Sequence, residues 1–221
     1  MKSMCKVISI EGNIGSGKST LIKKLLENKE ELEGKMKREV VLIQEPVDLW
    51  KQVVDTESGK DIIELFYSDQ KKYAFSFQIL AYITRLRNVL ESRRKNPEAI
   101  LISERCVYSD QKIFAKMLYS EGKISEIEWK IYMFWFDSFA EECKPEKVIY
   151  VNTEPNQCLE RISKRNREGE DLIPLEYLKN CNRMHIDWLS EIKGEGEEVI
   201  ELDGSQSPQK IYLEFINKLR V

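Results

Sequence analysis

The sequence predicts an α/β fold, a doubly wound parallel sheet of five strands that is covered by helices on both faces. Three observations support this prediction. Short β-branched runs recur along the chain, longer helical patterns lie between them, and a glycine-rich turn joins the first run to the first helical pattern. The runs show little internal alternation, as expected for strands that are buried on both faces.

The predicted strands follow from these runs in chain order: residues 6–10 (KVISI), 39–44 (EVVLIQ), 99–103 (AILIS), 148–152 (VIYVN) and 198–202 (EVIEL). The predicted helices are residues 18–28, 68–94, 110–119, 125–143, 174–192 and 208–219. The second helix repeats apolar side chains at three- and four-residue spacing from Phe75 to Leu86, which is the spacing of one helix face. No repeat, low-complexity tract or linker interrupts the pattern, so one domain is predicted for residues 1–221.

The composition is that of a globular protein, since 42% of the 221 residues are hydrophobic and 33% are charged. The 35 basic and 38 acidic residues give a net charge of −3, which argues against a protein that coats nucleic acid or anionic lipid. Apolar runs are only as long as a strand, so no transmembrane span is expected. The N-terminus enters the first strand too early for a signal peptide, and a cytoplasmic protein is expected.

The cysteines are odd in number and widely spaced, with no C-x-x-C pair: Cys5, Cys106, Cys143, Cys158 and Cys181. They are expected to be free thiols in a reducing cytoplasm. His185 is the only histidine, which argues against a zinc site and against a nucleophile that a histidine activates. Because His185 stands among polar residues, it is expected on the surface of a helix.

Residues 12–19, GNIGSGKS, fit the phosphate-binding pattern G-x-x-x-x-G-K-[ST] between a strand and a helix. Glycines let the loop wrap with its N–H groups pointing inward, and the following helix adds its positive end. Lys18 supplies a mobile cation, and the Ser19 hydroxyl is suited to hold Mg²⁺. The residues predicted to bind ATP or another nucleoside triphosphate are Gly12, Asn13, Ile14, Gly15, Ser16, Gly17, Lys18, Ser19 and Thr20.

The class of phosphate-loop protein can be narrowed by what else the chain contains. A GTPase would need an N/T-K-x-D motif, and the sequence has none. An ATP-driven machine usually has extra domains, for which 221 residues leave little room. A small kinase fits the length best.

Charged residues follow two of the predicted strands, at the carboxyl ends where ligands bind in a doubly wound sheet. Glu45 follows the second strand and can accept a proton from an attacking hydroxyl, while Trp50 offers a flat apolar wall. After the third strand, Glu104 can bind Mg²⁺ through water and Arg105 can bridge donor phosphate and acceptor hydroxyl. The structural alternative for the first pair is that Glu45 is a turn residue and Trp50 belongs to the core. The alternative for Glu104 and Arg105 is an exposed ion pair.

Two further sets of polar residues are candidates for ligand contacts. Gln78, Ala81 and Arg85 share one face of the long helix, where a glutamine can read the edge of a base, unless this face is a helix edge at the surface. A polar stretch before residue 174 carries four basic residues: Arg161, Lys164, Arg165 and Arg167. These side chains could close over a triphosphate on a mobile segment or form a solvated basic loop.

Together these segments resemble the deoxynucleoside kinase family, which includes deoxycytidine, deoxyguanosine and mitochondrial-type thymidine kinases. The resemblance spans nearly the whole chain and rests on GNIGSGKST (12–20), EPVDLW (45–50), Tyr67, F-x-F-Q (75–78), ERCVYSD (104–110), R-x-x-x-R-x-R (161–167) and IPLEYL (173–178). Their occurrence together in this order is highly specific. The resemblance implies a P-loop kinase fold with a lid segment.

The resemblance implies catalytic and metal-binding roles for individual residues. Glu45 is similar to the general base on the nucleoside 5′-OH, and Arg105 to the residue that steadies this hydroxyl and the phosphates. Lys18, which holds the triphosphate in line, completes the catalytic set. Glu104 and Ser19 would serve Mg²⁺.

The resemblance also implies how the nucleoside is held. The base would lie between Phe77 and Phe114, although core packing explains Phe114 about as well, with Trp50 as a side wall and Gln78 on the base edge. Tyr67 and Glu170 would contact the sugar 3′-OH, where Glu170 is one of several carboxylates in residues 168–171. The side chains that match the family's lid arginines are Arg161, Arg165 and Arg167.

The expected reaction is transfer of phosphate from ATP to the 5′-OH of a deoxynucleoside. Ala81, Arg85 and Asp110 resemble the family's deoxycytidine and purine branch, so thymidine is expected to be a poor acceptor. The alternatives are a thymidylate-like nucleoside monophosphate kinase and a non-catalytic module that only holds nucleotide. One departure from the family is Cys106, where relatives often have serine, which concerns packing more than chemistry.

The family is typically homodimeric through a helix bundle, so a homodimer is expected. The aromatic residues that could supply its surface are Trp129, Tyr132, Phe134, Trp135 and Phe136, although the core of the monomer explains them almost equally well.

Overall fold

A computed structural model describes residues 5–165 and 170–219 of the chain. Its strands are β1 (Lys6–Glu11), β2 (Val40–Ile43), β3 (Ile100–Glu104), β4 (Lys147–Asn152) and β5 (Glu198–Asp203). They form one sheet in the order β2-β3-β1-β4-β5, in which every neighbouring pair is parallel. This sheet, with helices on both faces, confirms the predicted α/β fold.

The helices of the described residues are α1 (Lys18–Glu27), α2 (Lys29–Met36), α3 (Val47–Trp50), α4 (Ile62–Ser68), α5 (Gln70–Lys95), α6 (Val107–Ser109), α7 (Lys116–Ser120), α8 (Glu126–Phe139), α9 (Pro155–Arg165), α10 (Leu175–Gly194) and α11 (Pro208–Lys218). A π-helical segment, Asp110–Ala115, joins α6 to α7. None of the helices within residues 5–165 and 170–219 is long and apolar enough to cross a membrane.

The two faces of the sheet bury alternate residues of the same strands, which explains why the strand runs lack polar alternation. On one face, Val7 and Leu101 belong to an apolar cluster with side chains of α5 and α8. On the other face, Ile10 and Ile102 belong to a cluster with side chains of α1 and α11. Because the strands are parallel, all their carboxyl ends lie along one edge of the sheet.

The predicted helix at residues 68–94 corresponds to α5, and Asp69 separates α5 from the short α4. The Asp69 carboxylate accepts a hydrogen bond from the N–H of Lys72 and so caps α5. Asp61 caps α4 in the same way and completes a capping box with Glu64. The short helices α2, α3, α4 and α6 were not predicted from the sequence.

The polar stretch predicted before residue 174 begins at Arg161, and the prediction is wrong for its first part, because Arg161, Lys164 and Arg165 belong to a helix over residues 155–165. These residues form α9, which buries Cys158 and Ile162 at a spacing of four against the sheet and α10. The basic side chains near its C-terminal end complement the negative end of the helix dipole. Arg161 and Arg165 are therefore held on a helix.

Candidate active site

The phosphate loop lies between the end of β1 and the start of α1. Gly12 and Gly15 have φ of 145° and 78°, a region that favours glycine. A Cβ at either residue would lie 2.6 Å from a backbone carbonyl oxygen, that of Val151 for Gly12 and that of Cys158 for Gly15. The turn in this form therefore requires glycine at both positions.

Contacts from three neighbouring segments hold the phosphate loop in shape. The Ser16 carbonyl accepts hydrogen bonds from the Thr153 hydroxyl at 3.0 Å and from Nη1 of Arg161 at 2.9 Å. The Asn13 side chain donates to the carbonyl of Leu178 at 2.8 Å. Of the predicted ATP-binding residues in this loop, Gly12, Asn13 and Ser16 do not line the cavity, and the ones that do are Ile14, Gly15, Gly17, Lys18, Ser19 and Thr20.

Lys18 is buried at the N-terminus of α1, and its Nζ donates to the Asn13 carbonyl at 2.8 Å. Burial, followed by the charge of Arg105, lowers the pKa of Lys18 to about 8. Beside it, the Ser19 hydroxyl donates to Oε1 of Glu104 at 2.6 Å. The Ser19 hydroxyl and the Glu104 carboxylate thus form a pair whose charge also acts on Lys18.

A cavity of about 480 Å³ extends from the phosphate loop towards α4 and α5. Every residue predicted to contact the nucleoside lines it: Glu45, Trp50, Tyr67, Phe77, Gln78, Ala81, Arg85, Arg105, Asp110, Phe114 and Glu170. Other lining residues were not predicted from the sequence, and they include Val47, Ile63, Phe66 and Tyr177. Tyr177 lies in the IPLEYL segment, and the edge contact of its ring with Tyr67 (centroids 6.2 Å apart) could be seen only in three dimensions.

Arg85 is the centre of a buried charged cluster. Its Nε donates to Oδ2 of Asp110 at 2.8 Å, its Nη1 to the Glu104 carbonyl at 2.6 Å, and its Nη2 to Oε1 of Glu45 at 3.1 Å. Burial disfavours the charge on Arg85, but Asp110 and Glu45 outweigh it and raise the pKa of the guanidinium. Arg85 shares a buried face of α5 with Gln78 and Ala81, so this face is not a helix edge at the surface.

Glu45 lies just beyond β2, where it faces three cations. Oε1 is 3.1 Å from Arg85 and 3.6 Å from Nε of Arg105. Although burial opposes ionisation, the charges of Arg85, Arg105 and Lys18 lower the pKa of Glu45 below its ordinary value. Glu45 is therefore a carboxylate at neutral pH, ready to accept a proton.

Arg105 has a φ of 65°, an uncommon value for a residue other than glycine. This turn directly after β3 directs the side chain into the cavity, where its guanidinium carbon lies 4.7 Å from the ring centroid of Phe114. Phe114 therefore lines the cavity and stacks on a cation instead of serving only as core. Both Asp110 and Phe114 belong to the π-helical segment, whose wider turn brings the two side chains to the same cavity.

Aromatic rings form the apolar end of the cavity. Trp50 meets Phe77 edge to face, with centroids 5.4 Å apart, and its indole N–H donates to Oγ1 of Thr84 at 2.9 Å. Phe66 also packs on Phe77, with centroids 4.9 Å apart. These contacts fix Trp50 and Phe77 as rigid walls.

The candidate lid residues are only partly described. Arg161 links the phosphate loop to the Gly204 carbonyl after β5, at 2.8 Å. Arg165 pairs with Glu170, which is buried and lines the cavity near Tyr67. Burial, reinforced by the Glu170 charge, raises the pKa of the Tyr67 hydroxyl, so this group stays neutral. Arg167 lies outside the described residues.

His185 was expected on the surface, and this is wrong. His185 is 0% exposed. It lies on the buried face of α10, which also includes Cys181 and Trp188. Cys181, His185 and Trp188 stand at a spacing of four and three residues, a signal for a buried face that the polar neighbours concealed. The His185 ring lies beside Arg105, with Nε2 3.5 Å from Nη1.

A phosphate loop that opens directly into a cavity lined by a carboxylate and by aromatic rings is the arrangement of a P-loop kinase. The family model described as Deoxynucleoside kinase matches residues 8–218. The chain belongs to the deoxynucleoside kinase family, and it is a deoxynucleoside kinase.

Several curated relatives support this assignment. The chain is 36% identical over 203 residues to deoxycytidine kinase 2 of Gallus gallus, and this alignment covers 83% of the chain and 74% of the relative. It is also 36% identical over 203 residues to deoxycytidine kinase of Homo sapiens, and this alignment covers 83% of the chain and 75% of the relative. It is 32% identical over 202 residues to the mitochondrial deoxyguanosine kinase of Xenopus laevis, and this alignment covers 84% of the chain and 73% of the relative.

Proposed function

We propose that this kinase transfers the terminal phosphate of ATP, or of another nucleoside triphosphate, to the 5′-OH of deoxycytidine or a purine deoxynucleoside. The observation that carries the proposal is the Arg85 guanidinium, which holds Asp110 at 2.8 Å and Glu45 at 3.1 Å. Arg85 thereby connects Asp110, which can accept a hydrogen bond from an amine of the base, with Glu45, which can accept the proton of the 5′-OH.

Glu45 is proposed to take the proton from the 5′-OH as this oxygen attacks the terminal phosphorus. Its lowered pKa keeps it ionised, and its distance of 3.6 Å from Arg105 leaves this guanidinium able to bind the same hydroxyl and the phosphoryl oxygens. Lys18 and the N–H groups of the phosphate loop hold the donor phosphates in line. Arg161, Arg165 and Arg167 would neutralise charge on the transferred group.

Mg²⁺ is proposed to bind at Ser19 and Glu104. These hydroxyl and carboxylate oxygens lie 2.6 Å apart and are the hard donors that Mg²⁺ prefers. In the described part of the chain, no three His, Cys, Asp or Glu side chains form a group that could hold a metal. This suits an ion that takes most of its ligands from phosphate and water. When bound with the triphosphate, Mg²⁺ neutralises charge on the phosphate oxygens.

The deoxynucleoside is proposed to lie with its base between Phe77 and Phe114 and against Trp50. Gln78 offers both a donor and an acceptor to the base edge, and Asp110 can accept from an exocyclic amine. Thymine presents a carbonyl where cytosine has its amine, so Asp110 would face it with no proton to bind. Ala81 leaves room beside this edge.

The sugar is proposed to contact Tyr67 and Glu170 through its 3′-OH. Both side chains line the cavity, and the neutral Tyr67 hydroxyl can donate to or accept from a sugar hydroxyl. The Tyr67 ring would fill the space that a ribose 2′-OH needs. This arrangement supports deoxynucleosides as acceptors.

A nucleoside monophosphate kinase and a binding module without turnover are the other candidates. Glu45 would repel the phosphate of a monophosphate acceptor, which favours the unphosphorylated nucleoside. An assay of ADP release with ATP and a panel of deoxynucleosides and their monophosphates separates the three candidates. We expect turnover with deoxycytidine or purine deoxynucleosides, and turnover only with monophosphates or none at all would refute the proposal.

A homodimer is proposed to form through α5 and α8. Phe134 and Trp135 of α8 are 72% and 42% exposed, and Ile127, Ile131 and Ile83 are also exposed. Tyr132 and Phe136 are buried in the monomer, so only part of the predicted aromatic set is available. An exposed apolar stripe of this kind supports association through this surface.

A cytoplasmic location is proposed from the state of the cysteines. All five are buried free thiols, which suits a reducing compartment.

A further inference from the structure

His185 is a buried polar side chain that the proposed reaction does not use. Its ring lies between Phe114, with centroids 6.3 Å apart, and Tyr150, with centroids 5.7 Å apart. Nδ1 lies 2.7 Å from the carbonyl oxygen of Cys181. A carbonyl can only accept, so Nδ1 carries the ring proton and Nε2 is left with a lone pair.

That lone pair faces Arg105, since Nε2 of His185 lies 3.5 Å from Nη1 of Arg105. Burial, and then the charge of Arg105, lowers the pKa of His185 well below its ordinary value, although the ring's contacts with the backbone of Cys181 and of Gly12 act in the opposite direction. The ring is therefore neutral, and it can accept a hydrogen bond from the guanidinium without adding charge.

The carboxylates near Arg105 do not fix its position by themselves. Nε is 3.6 Å from Glu45 and Nη1 is 3.8 Å from Oε2 of Glu11, both longer than a charge-assisted hydrogen bond. Glu11 is buried at the end of β1, and its Oε2 makes no hydrogen bond within the described residues. The closest polar neighbour of Nη1 among these groups is the neutral imidazole.

We propose that His185 is a positioning residue, which holds the guanidinium of Arg105 over Phe114 and towards Glu45. The inference rests on the proposed function, because it assigns Arg105 to the acceptor hydroxyl and the phosphoryl oxygens. A carboxylate in close bidentate contact would also fix the guanidinium, but it would neutralise the charge that the phosphoryl group needs. A neutral acceptor fixes the group and leaves its charge available.

The wild-type protein provides a first test, because His185 is the only histidine in the chain. Nitrogen-15 labelling of histidine therefore reports on one ring by NMR. We expect Nδ1 to be protonated and Nε2 unprotonated, with no titration between about pH 5 and pH 8. A ring protonated on Nε2, or one that titrates in this range, would overturn the proposal.

Two amide substitutions provide the kinetic test, because the amides of Gln and Asn take the places of different ring nitrogens of His185. In His185→Gln the side-chain oxygen reaches the place of Nε2, whereas in His185→Asn it does not. With ATP and deoxycytidine, we expect kcat to fall roughly tenfold in His185→Asn and to stay within about threefold in His185→Gln, with little change in the KM for ATP. In an Arg105→Lys background, His185→Asn should have no further effect.

Equal kcat values for the two variants, or losses that simply follow their thermal stability, would make His185 a structural residue and overturn the inference. The wild-type assay keeps this outcome separate from the proposed function. If the wild-type protein phosphorylates no deoxynucleoside, the proposed function fails. If it does and the two variants do not differ, only the role of His185 is refuted.

Discussion

Nη2 of Arg85 lies 3.1 Å from Oε1 of Glu45, and this contact connects the base end of the cavity to the hydroxyl end. The same guanidinium is 2.8 Å from Asp110 and only 2% exposed. Removal of Arg85 would leave two carboxylates without their shared cation. Base preference and turnover are therefore expected to change together when this residue changes.

Glu45→Gln should keep nucleoside binding and lower kcat by roughly 10² or more, the usual scale for loss of a general base. The side chains are nearly isosteric, so thermal stability should change little. Steady-state kinetics with ATP and deoxycytidine measure the effect. Glu39→Gln is a matched control, because Glu39 is exposed at the opposite end of β2 and should retain full activity. Unchanged kcat in Glu45→Gln would remove this residue from the mechanism.

The pH dependence of kcat should report on the same carboxylate. Since Arg85 lowers the pKa of Glu45, activity in the wild type should persist to below the ordinary glutamate value of 4.5. In Arg85→Met this stabilisation of the charged form is lost, so the acidic limb of the profile should move to higher pH. The kcat at saturating deoxycytidine, followed against pH, gives the comparison. An acidic limb that stays in place would show that Arg85 does not control Glu45.

Lys18→Ala should abolish phosphoryl transfer, because the cation that holds the triphosphate in line is gone. The fold should survive, since the phosphate loop also contacts Thr153, Arg161 and Leu178 through other residues. Lys23→Ala, at an exposed position of the same helix, is the control. Activity of Lys18→Ala within a few-fold of wild type would contradict the assignment of the loop.

The double substitution Arg85→Met with Asp110→Ala should raise the use of thymidine relative to deoxycytidine. In the wild type, a site built around a bond to an exocyclic amine can discriminate on the order of 10⁴ against a base that lacks this group. The ratio of kcat/KM values for the two nucleosides measures the change. If the wild-type protein already prefers thymidine, this interpretation of the pocket is wrong while the kinase assignment stands.

Phe134→Asp should shift the protein from dimer to monomer in sedimentation equilibrium, because a charge would be buried in the proposed apolar interface. Leu213→Asp, on the exposed face of α11, is the matched control and should leave the association state unchanged. A wild-type protein that is monomeric at all concentrations would refute the dimer.

The features that local patterns encode were predictable from the sequence. Five β-branched runs located each strand to within one residue, and the central strands β1, β3 and β4 are almost wholly buried. The phosphate loop was predictable because its glycines, Lys18 and Ser19 are adjacent in the chain. Glu45, Glu104 and Arg105 were found because the residues after parallel strands share one edge of the sheet.

The features that depend on distant contacts were not predictable in the same way. His185 and Arg105 are 80 residues apart in the chain, and only the packing of α10 against the sheet brings their side chains together. The basic residues of α9 masked the short apolar face of this helix, which consists of Cys158 and Ile162. The helix α4 has only seven residues, which are too few to show a clear apolar periodicity, so it was not predicted.

The π-helical segment Asp110–Ala115 limits how this pocket can diversify over evolution. One residue added to or removed from an α-helix rotates everything beyond it by about 100°. The π turn has the geometry of an α-helical turn that holds one extra residue, with Asp110 at its start and Phe114 within its wide turn. A later insertion or deletion here would turn one of these side chains away from the ligand. New acceptor preferences are therefore accessible by exchange of side chains at these positions, whereas a change in segment length would disrupt recognition altogether.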